Sequence, residues 1–246
     1  MQESVAFPRG IWTLLACVPV ACTAPFIHAS PWLTARLFES FARSEWESML
    51  DLREAAARTP SAERAARYLA HAADEMRHTR MFAKRAEELG HIAQDLGGRI
   101  PYGDPSRVEA QVAPTGLGQR EEVDFLAFVH HGEARALAQL ETRIAILDAA
   151  GDPRSAALCR RVAEDERNHA TYTWELLVDL AGGPSAARRA LLRAQAGEVV
   201  PLWRAAGGTL TAPLFSLLAI ALYFVAGPLA ALSLAGRREP ETLPPQ

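Results

Sequence analysis

The 246-residue sequence predicts an all-α chain whose centre is a four-helix bundle made of two hairpins. Three observations predict it. Four long stretches carry apolar residues at helical spacing, with Gly, Pro and polar residues gathered between them. The first pair of stretches repeats in the second: Phe38, Phe41, Glu45, Met49 and Leu52 match Leu126, Val129, Glu133, Leu137 and Leu140 at identical offsets. Finally, one long segment without regular patterning joins the two halves, as a bundle with a single crossover requires.

Composition narrows the class. A net charge of −3 supplies no basic surface for nucleic acid. Cys17, Cys22 and Cys159 form no Cys-x-x-Cys pair and no disulfide framework, which favours a reducing compartment.

Residues 1–32 form an apolar N-terminal arm, uncharged between Arg9 and Arg36. Pro19, Pro25 and Pro31 argue for an interrupted arm, packed on the bundle or lying against a bilayer, rather than a continuous membrane-spanning helix. A signal peptide is the competing reading. The bundle is expected over residues 33–183. Its first helix runs to Arg58, and Thr59-Pro60-Ser61 supplies a turn in which Thr59 or Ser61 caps the next helix and Pro60 suits its first turn. The second helix stops at Gly90. Residues 91 to about 118 are rich in Gly and Pro and make the crossover. The third helix runs from about Gln119 to Ala150. Asp152 and Pro153 open the fourth, which ends at Gly182-Gly183-Pro184.

Residues 184–246 differ in character. Arg188, Arg189, Arg193 and Arg204 stand among Ala and Leu as in an amphipathic helix, and no formal charge follows from Ala205 to Gly236. Leu210 to Leu234 suffices to cross a bilayer once, with Pro213 and Gly227-Pro228 as sites of a kink. C-terminal hydrophobic helices that associate with a membrane through residues 205–236 are the preferred reading. A buried fifth helix of a soluble homo-oligomer is the alternative. Arginines at both ends leave the orientation open, and the bundle is expected on the cytoplasmic side.

The chemistry-bearing residues lie inside the bundle. Asp74-Glu75-Met76-Arg77-His78 and Asp165-Glu166-Arg167-Asn168-His169 each place a Glu and a His three apart, hence on one helical face. Glu-x-x-His alone is a weak motif. Glu88-Leu89-Gly90-His91 is a decoy, because Gly90 ends the helix. Glu45 and Glu133 fall inside apolar stripes, where a carboxylate is costly unless paired or bound to metal. Glu47 belongs to a wet face and Glu39 is intermediate. His130 and His131 read as packing or solvated residues. Tyr172 and Trp174 read as core residues, with a relay role as the alternative. Four carboxylates and two imidazoles on four helices make a donor set for two metal ions, and mixed N/O ligation suits iron or manganese.

On these residues, Glu45 with Glu75 and His78 in one hairpin and Glu133 with Glu166 and His169 in the other, the chain from about residue 33 to 181 resembles the ferritin-like, rubrerythrin-like superfamily of di-iron carboxylate proteins. The resemblance implies a ferritin-like bundle holding two iron ions, or manganese, with Glu75 and Glu166 bridging and Glu45 and Glu133 terminal. Asp74 and Asp165 are then expected to accept the free N–H of the imidazole across the pair. The chain departs from rubrerythrin proper in lacking a rubredoxin-type Cys-x-x-Cys module. The expected activity is that of a membrane-associated oxidase or oxygenase that activates O2 to oxidise an apolar, lipophilic small molecule. The alternative is a ferroxidase, a rubrerythrin-like peroxidase or a manganese catalase, handling iron or peroxide. A third reading has the carboxylates as structural groups in a non-enzymatic membrane protein.

Overall fold

The computed structural model describes residues 11–90 and 116–197, with side chains from Val20 onward. These residues hold six helices and no strand: α1 (Ile11–His28), α2 (Pro31–Arg58), α3 (Ala62–Glu88), α4 (Gln119–Ala149), α5 (Pro153–Ala181) and α6 (184–197). The chain divides into two units, Met1–Gln195 and Ala196–Gln246, and nearly all described residues belong to the first. Most of the predicted crossover and the whole apolar run 205–236 lie outside the described residues. Among the described residues no helix is long and apolar enough to cross a membrane.

Local chemistry sets the boundaries. Ser30 caps α2 by accepting from Leu33 N, and Pro31 takes the first helical position, where no N–H is needed. Ser61 caps α3 by accepting from Arg64 N at 3.3 Å. The sequence suggests Pro60 for that first turn; it stands instead before the cap, because the backbone of Ser61 is still extended and the helix begins at Ala62. Asp152 caps α5, accepting from both the backbone N–H and the hydroxyl of Ser155. Gly90 and Gly182 end α3 and α5 at φ +84° and +79°, a left-handed backbone that side chains with a Cβ resist. The N-terminal arm departs from expectation. α1 continues as helix through Pro19 and Pro25, so each proline removes one intrahelical N–H donor without ending the helix.

α2 packs along α3 and α4 along α5, while α1 lies against α4 and α2, and α3 touches α5. Two separate hydrophobic clusters result. One gathers Met49, Leu52, Tyr68, Leu126, Trp174 and Leu177; the other gathers Phe38, Phe82, Leu137, Leu147, Cys159 and Val162. Phe38 stacks on Phe82 at 5.8 Å and Phe41 meets Phe82 edge-on at 5.2 Å. Each fully buried side chain of this size contributes about 1.5–3 kcal/mol. Every one of α2 to α5 passes from one cluster to the other, and at each crossing stands an acid or an imidazole: Glu45, Glu75 and His78, Glu133, Glu166 and His169. The apolar clusters thus enclose a polar layer contributed by four helices.

Candidate metal centre

The polar layer contains two groups of donor atoms, each mutually within 4.8 Å: Glu45, Glu75, His78 and Glu166, and His71, Glu75, Glu133 and His169. All six residues singled out in the sequence are present. His71 is the seventh, and motif reading misses it. It stands four residues before Glu75 on the same face of α3, so a signal exists. The repeat conceals it, because the matching position of the second half is Val162. His71 Nε2 lies 2.9 Å from Glu75 Oε1 and 3.4 Å from Glu133 Oε1, and its Nδ1 is 2.6 Å from the Tyr172 hydroxyl.

The imidazoles are held from across the helix pair. His78 on α3 donates Nε2–H to Asp165 on α5 at 3.1 Å, and His169 on α5 donates Nε2–H to Asp74 on α3 at 3.2 Å. Arg77 ties the two acids together, reaching Asp74 at 2.5 Å and Asp165 at 3.0 Å. Donation from Nε2 turns both Nδ1 atoms inward, the orientation that ligating histidines take from a carboxylate partner. There, His78 Nδ1, His169 Nδ1 and both oxygens of Glu166 are buried without a hydrogen bond. Glu166 Oε1 is 3.2 Å from His78 Nδ1, yet the two are not aligned to bond. Buried polar atoms are rarely left so, and each normally costs about 1–3 kcal/mol. Four inward-facing orphans around one point fit a bound cation.

The electrostatics agree. Burial raises the carboxyls of Glu45 and Glu75, and Glu75 is pushed further up by its acidic neighbours Glu45, Glu166 and Glu133. Burial, with Glu166 beside it, lifts Glu133 to about 7. Burial pulls His78 down, but Glu166, Glu45 and Asp165 outweigh it and hold the imidazole up to about 9. Four carboxylates balance two divalent cations in formal charge. Without metal, protons must take the cations' place. Metal uptake is therefore expected to release protons. Below its raised value each group holds a proton that the cation must displace, so Mn(II) affinity should strengthen as pH rises from about 7 towards about 9. Titration calorimetry in two buffers of different ionisation enthalpy reads both effects; an affinity flat across that window would contradict them.

One side of the centre is open. A cleft of about 190 Å³ between α2 and α4 reaches Glu45, Glu75 and Glu133, with Ser44, Glu47, Ser48, Asp51 and Arg135 also along its walls. Glu47 is exposed, whereas Glu39 is buried on another part of α2 and belongs to neither donor group. His130 and His131 are buried and outside both groups. Burial lowers each to about 4, and His130 Nδ1 donates to Ala170 O at 3.1 Å beside the Trp174 ring. Trp174 is packed in the core, while Tyr172 reaches the site through His71. Comparison with protein-family models, curated proteins and solved structures returns no match.

Proposed function

We propose that the chain is a dinuclear iron or manganese oxidoreductase of the ferritin-like kind, with α2 to α5 as its four-helix bundle and dioxygen or peroxide as its reactant. The observation that carries this reading is the set of buried, unbonded donor atoms on His78, Glu166 and His169, facing inward from two helices. Glu45, Glu75, His78 and Glu166 would hold one ion and His71, Glu75, Glu133 and His169 the other. Glu75 is common to both groups, which supports its bridging role, and Glu166 lies within 3.6 Å of both His78 and His169. When bound, the two ions supply one- and two-electron chemistry that no side chain here provides.

The remaining work falls to the chain itself. Asp74 and Asp165 fix the imidazoles, the apolar clusters close the layer off along the helices on either side, and the raised carboxyls can hold or release protons at the cleft. Of the two substrate classes, the small cleft ending on three carboxylates favours peroxide or iron handling. Oxidation of a lipophilic molecule is supported by the uncharged run 205–236, as is membrane association with the bundle on the cytoplasmic side. Purified full-length chain loaded with Fe(II) or Mn(II) and given hydrogen peroxide, or O2 with a lipid extract, tests the reading. Two ions per chain with peroxide turnover and no organic product supports the peroxide class; an oxidised lipid supports the other. A chain that takes up neither metal overturns both and leaves the carboxylates as structural groups.

A further inference from the structure

Helices α2 to α5 contain a single glycine, Gly132, in the middle of α4. An interior glycine weakens a helix, so it needs a local reason. The two common reasons fail here. Gly132 is not among the glycines with positive φ, and a Cβ built on it would meet no atom within 4 Å. The backbone therefore accepts a side chain, and no neighbour requires its absence. What lies in front of Gly132 is the cleft that ends on Glu45, Glu75 and Glu133. Three of its other wall residues, Ser44, Ser48 and Ala136, are small as well. The opposite side of the centre is closed by His78 and His169 with their aspartates.

We infer that Gly132 sets the bore of this inlet, keeping the carboxylate side of the centre open to reactants of a few non-hydrogen atoms, namely dioxygen or hydrogen peroxide. The inference rests on the dinuclear reading above and names the class of molecule admitted. A volume of about 190 Å³ falls below the roughly 300–1,000 Å³ of pockets that enclose drug-sized ligands. A Cβ at position 132, on the wall of the cleft, meets open space rather than packed protein.

The test uses full-length chain loaded with iron and then oxidised, with azide as the small probe and absorbance in stopped flow as the readout, normalised to occupied sites. Gly132→Ala should slow azide binding about threefold, and Gly132→Leu at least about tenfold, the factor given by about 1.4 kcal/mol of added barrier. Metal content should stay at the wild-type level. Ala145→Leu, on an exposed part of α4, is the control and should leave the rate unchanged. The metal-free Gly132→Ala chain should melt about 2–4 °C higher, because the substitution favours helix and meets no clash. Wild-type rates in a metal-loaded Gly132→Leu chain would overturn the inference while leaving the dinuclear reading intact; if the leucine variant fails to fold, an unchanged rate in Gly132→Ala does the same. A wild-type chain that binds no metal removes the dinuclear reading and this inference together.

Discussion

Replacing Glu166 by Gln is expected to deprive the chain of its dinuclear metal while leaving the stability of the metal-free protein nearly unchanged. Glu166 is 1% exposed and neither carboxyl oxygen has a hydrogen bond. Its surroundings hold three further acids, Glu45 and Glu75 in the same donor group and Glu133 beside it. Two like charges 4 Å apart repel by about 4 kcal/mol at an effective dielectric of 20, which is why protons must be retained there without metal. Gln keeps the shape and removes one of the acids, but it also removes the carboxylate 3.2 Å from His78 that holds the imidazole up, so the two effects offset and the metal-free chain should change by no more than about 1 kcal/mol. With metal the two chains separate. A cation bound at about a thousandfold above its dissociation constant adds about 4 kcal/mol, or roughly 10 °C in Tm, to the wild-type chain. Glu166→Gln and Glu75→Ala should lose most of that shift and fall below one ion per chain.

Glu88→Gln and Glu47→Gln provide the contrast. Glu88 is ion-paired with Arg85 and Arg154 at the surface, and Glu47 is exposed at the cleft, so both variants should keep wild-type metal content. Metal analysis with scanning calorimetry, with and without Mn(II), reads both halves of the expectation. Equal loss in all four variants would mean that the faces are misassigned, and two ions retained in Glu166→Gln would refute its role as a ligand.

The parts of this site legible in the sequence share one property: their signal is local. Glu45 and Glu133 stand out because each interrupts an apolar stripe, and the two Glu-x-x-His pairs because they recur in matched helices. The all-helical class follows from the same periodicity. What stays hidden depends on partners distant in sequence, or on an asymmetry that the repeat obscures. His71 has Val162 at its matching position, and Arg77, which joins Asp74 to Asp165, has Asn168. The cleft is lined by residues of α2 and α4 that lie far apart in sequence, among them Ser44, Ser48 and Gly132. The continuity of α1 through two prolines is equally hard to read, because proline removes a donor without always ending a helix. Arg85, too, is half of a long-range tie. It donates to Ser155 Oγ and Asp152 Oδ1, both at 2.8 Å, and so fastens the end of α3 to the start of α5.

The corresponding tie at the other end of α3 is Glu122, and Glu122→Ala is expected to be among the most destabilising polar substitutions in the described chain. In sequence it is an ordinary acid in the first turn of α4, where a negative charge suits the helix N-terminus. In the structure it is 1% exposed and accepts four hydrogen bonds: from Thr59 Oγ1 at 2.7 Å, Tyr68 OH at 2.9 Å, Arg64 Nε at 2.8 Å and Arg64 Nη2 at 3.1 Å. One carboxylate thereby holds the α2–α3 turn, the first turns of α3 and the start of α4. Removing it leaves the hydroxyl of fully buried Tyr68 without this acceptor. Breaking a buried, bonded charge costs about 3–5 kcal/mol. Arg64 is 23% exposed and can turn to water, so the lower end applies, roughly 10 °C in Tm.

The pH dependence follows from sign. Burial would raise the Glu122 carboxyl, but Arg64, Thr59 and Tyr68 outweigh it and hold it below the ordinary value. A depressed acid contributes its stabilisation fully above the unfolded value of about 4.3 and loses it as pH falls through the folded value. The stability gap between wild type and Glu122→Gln should therefore be largest near neutral pH and shrink below about pH 4, as urea denaturation at each pH will read. A gap that stays constant on acidification would mean that shape, rather than charge, fixes this junction. Metal stoichiometry at neutral pH should be unchanged in the same variant, because Glu122 is in neither donor group. Acids that hold the helices together and acids that face the metal layer are then separable by experiment: neutralising the first costs stability, and neutralising the second costs metal.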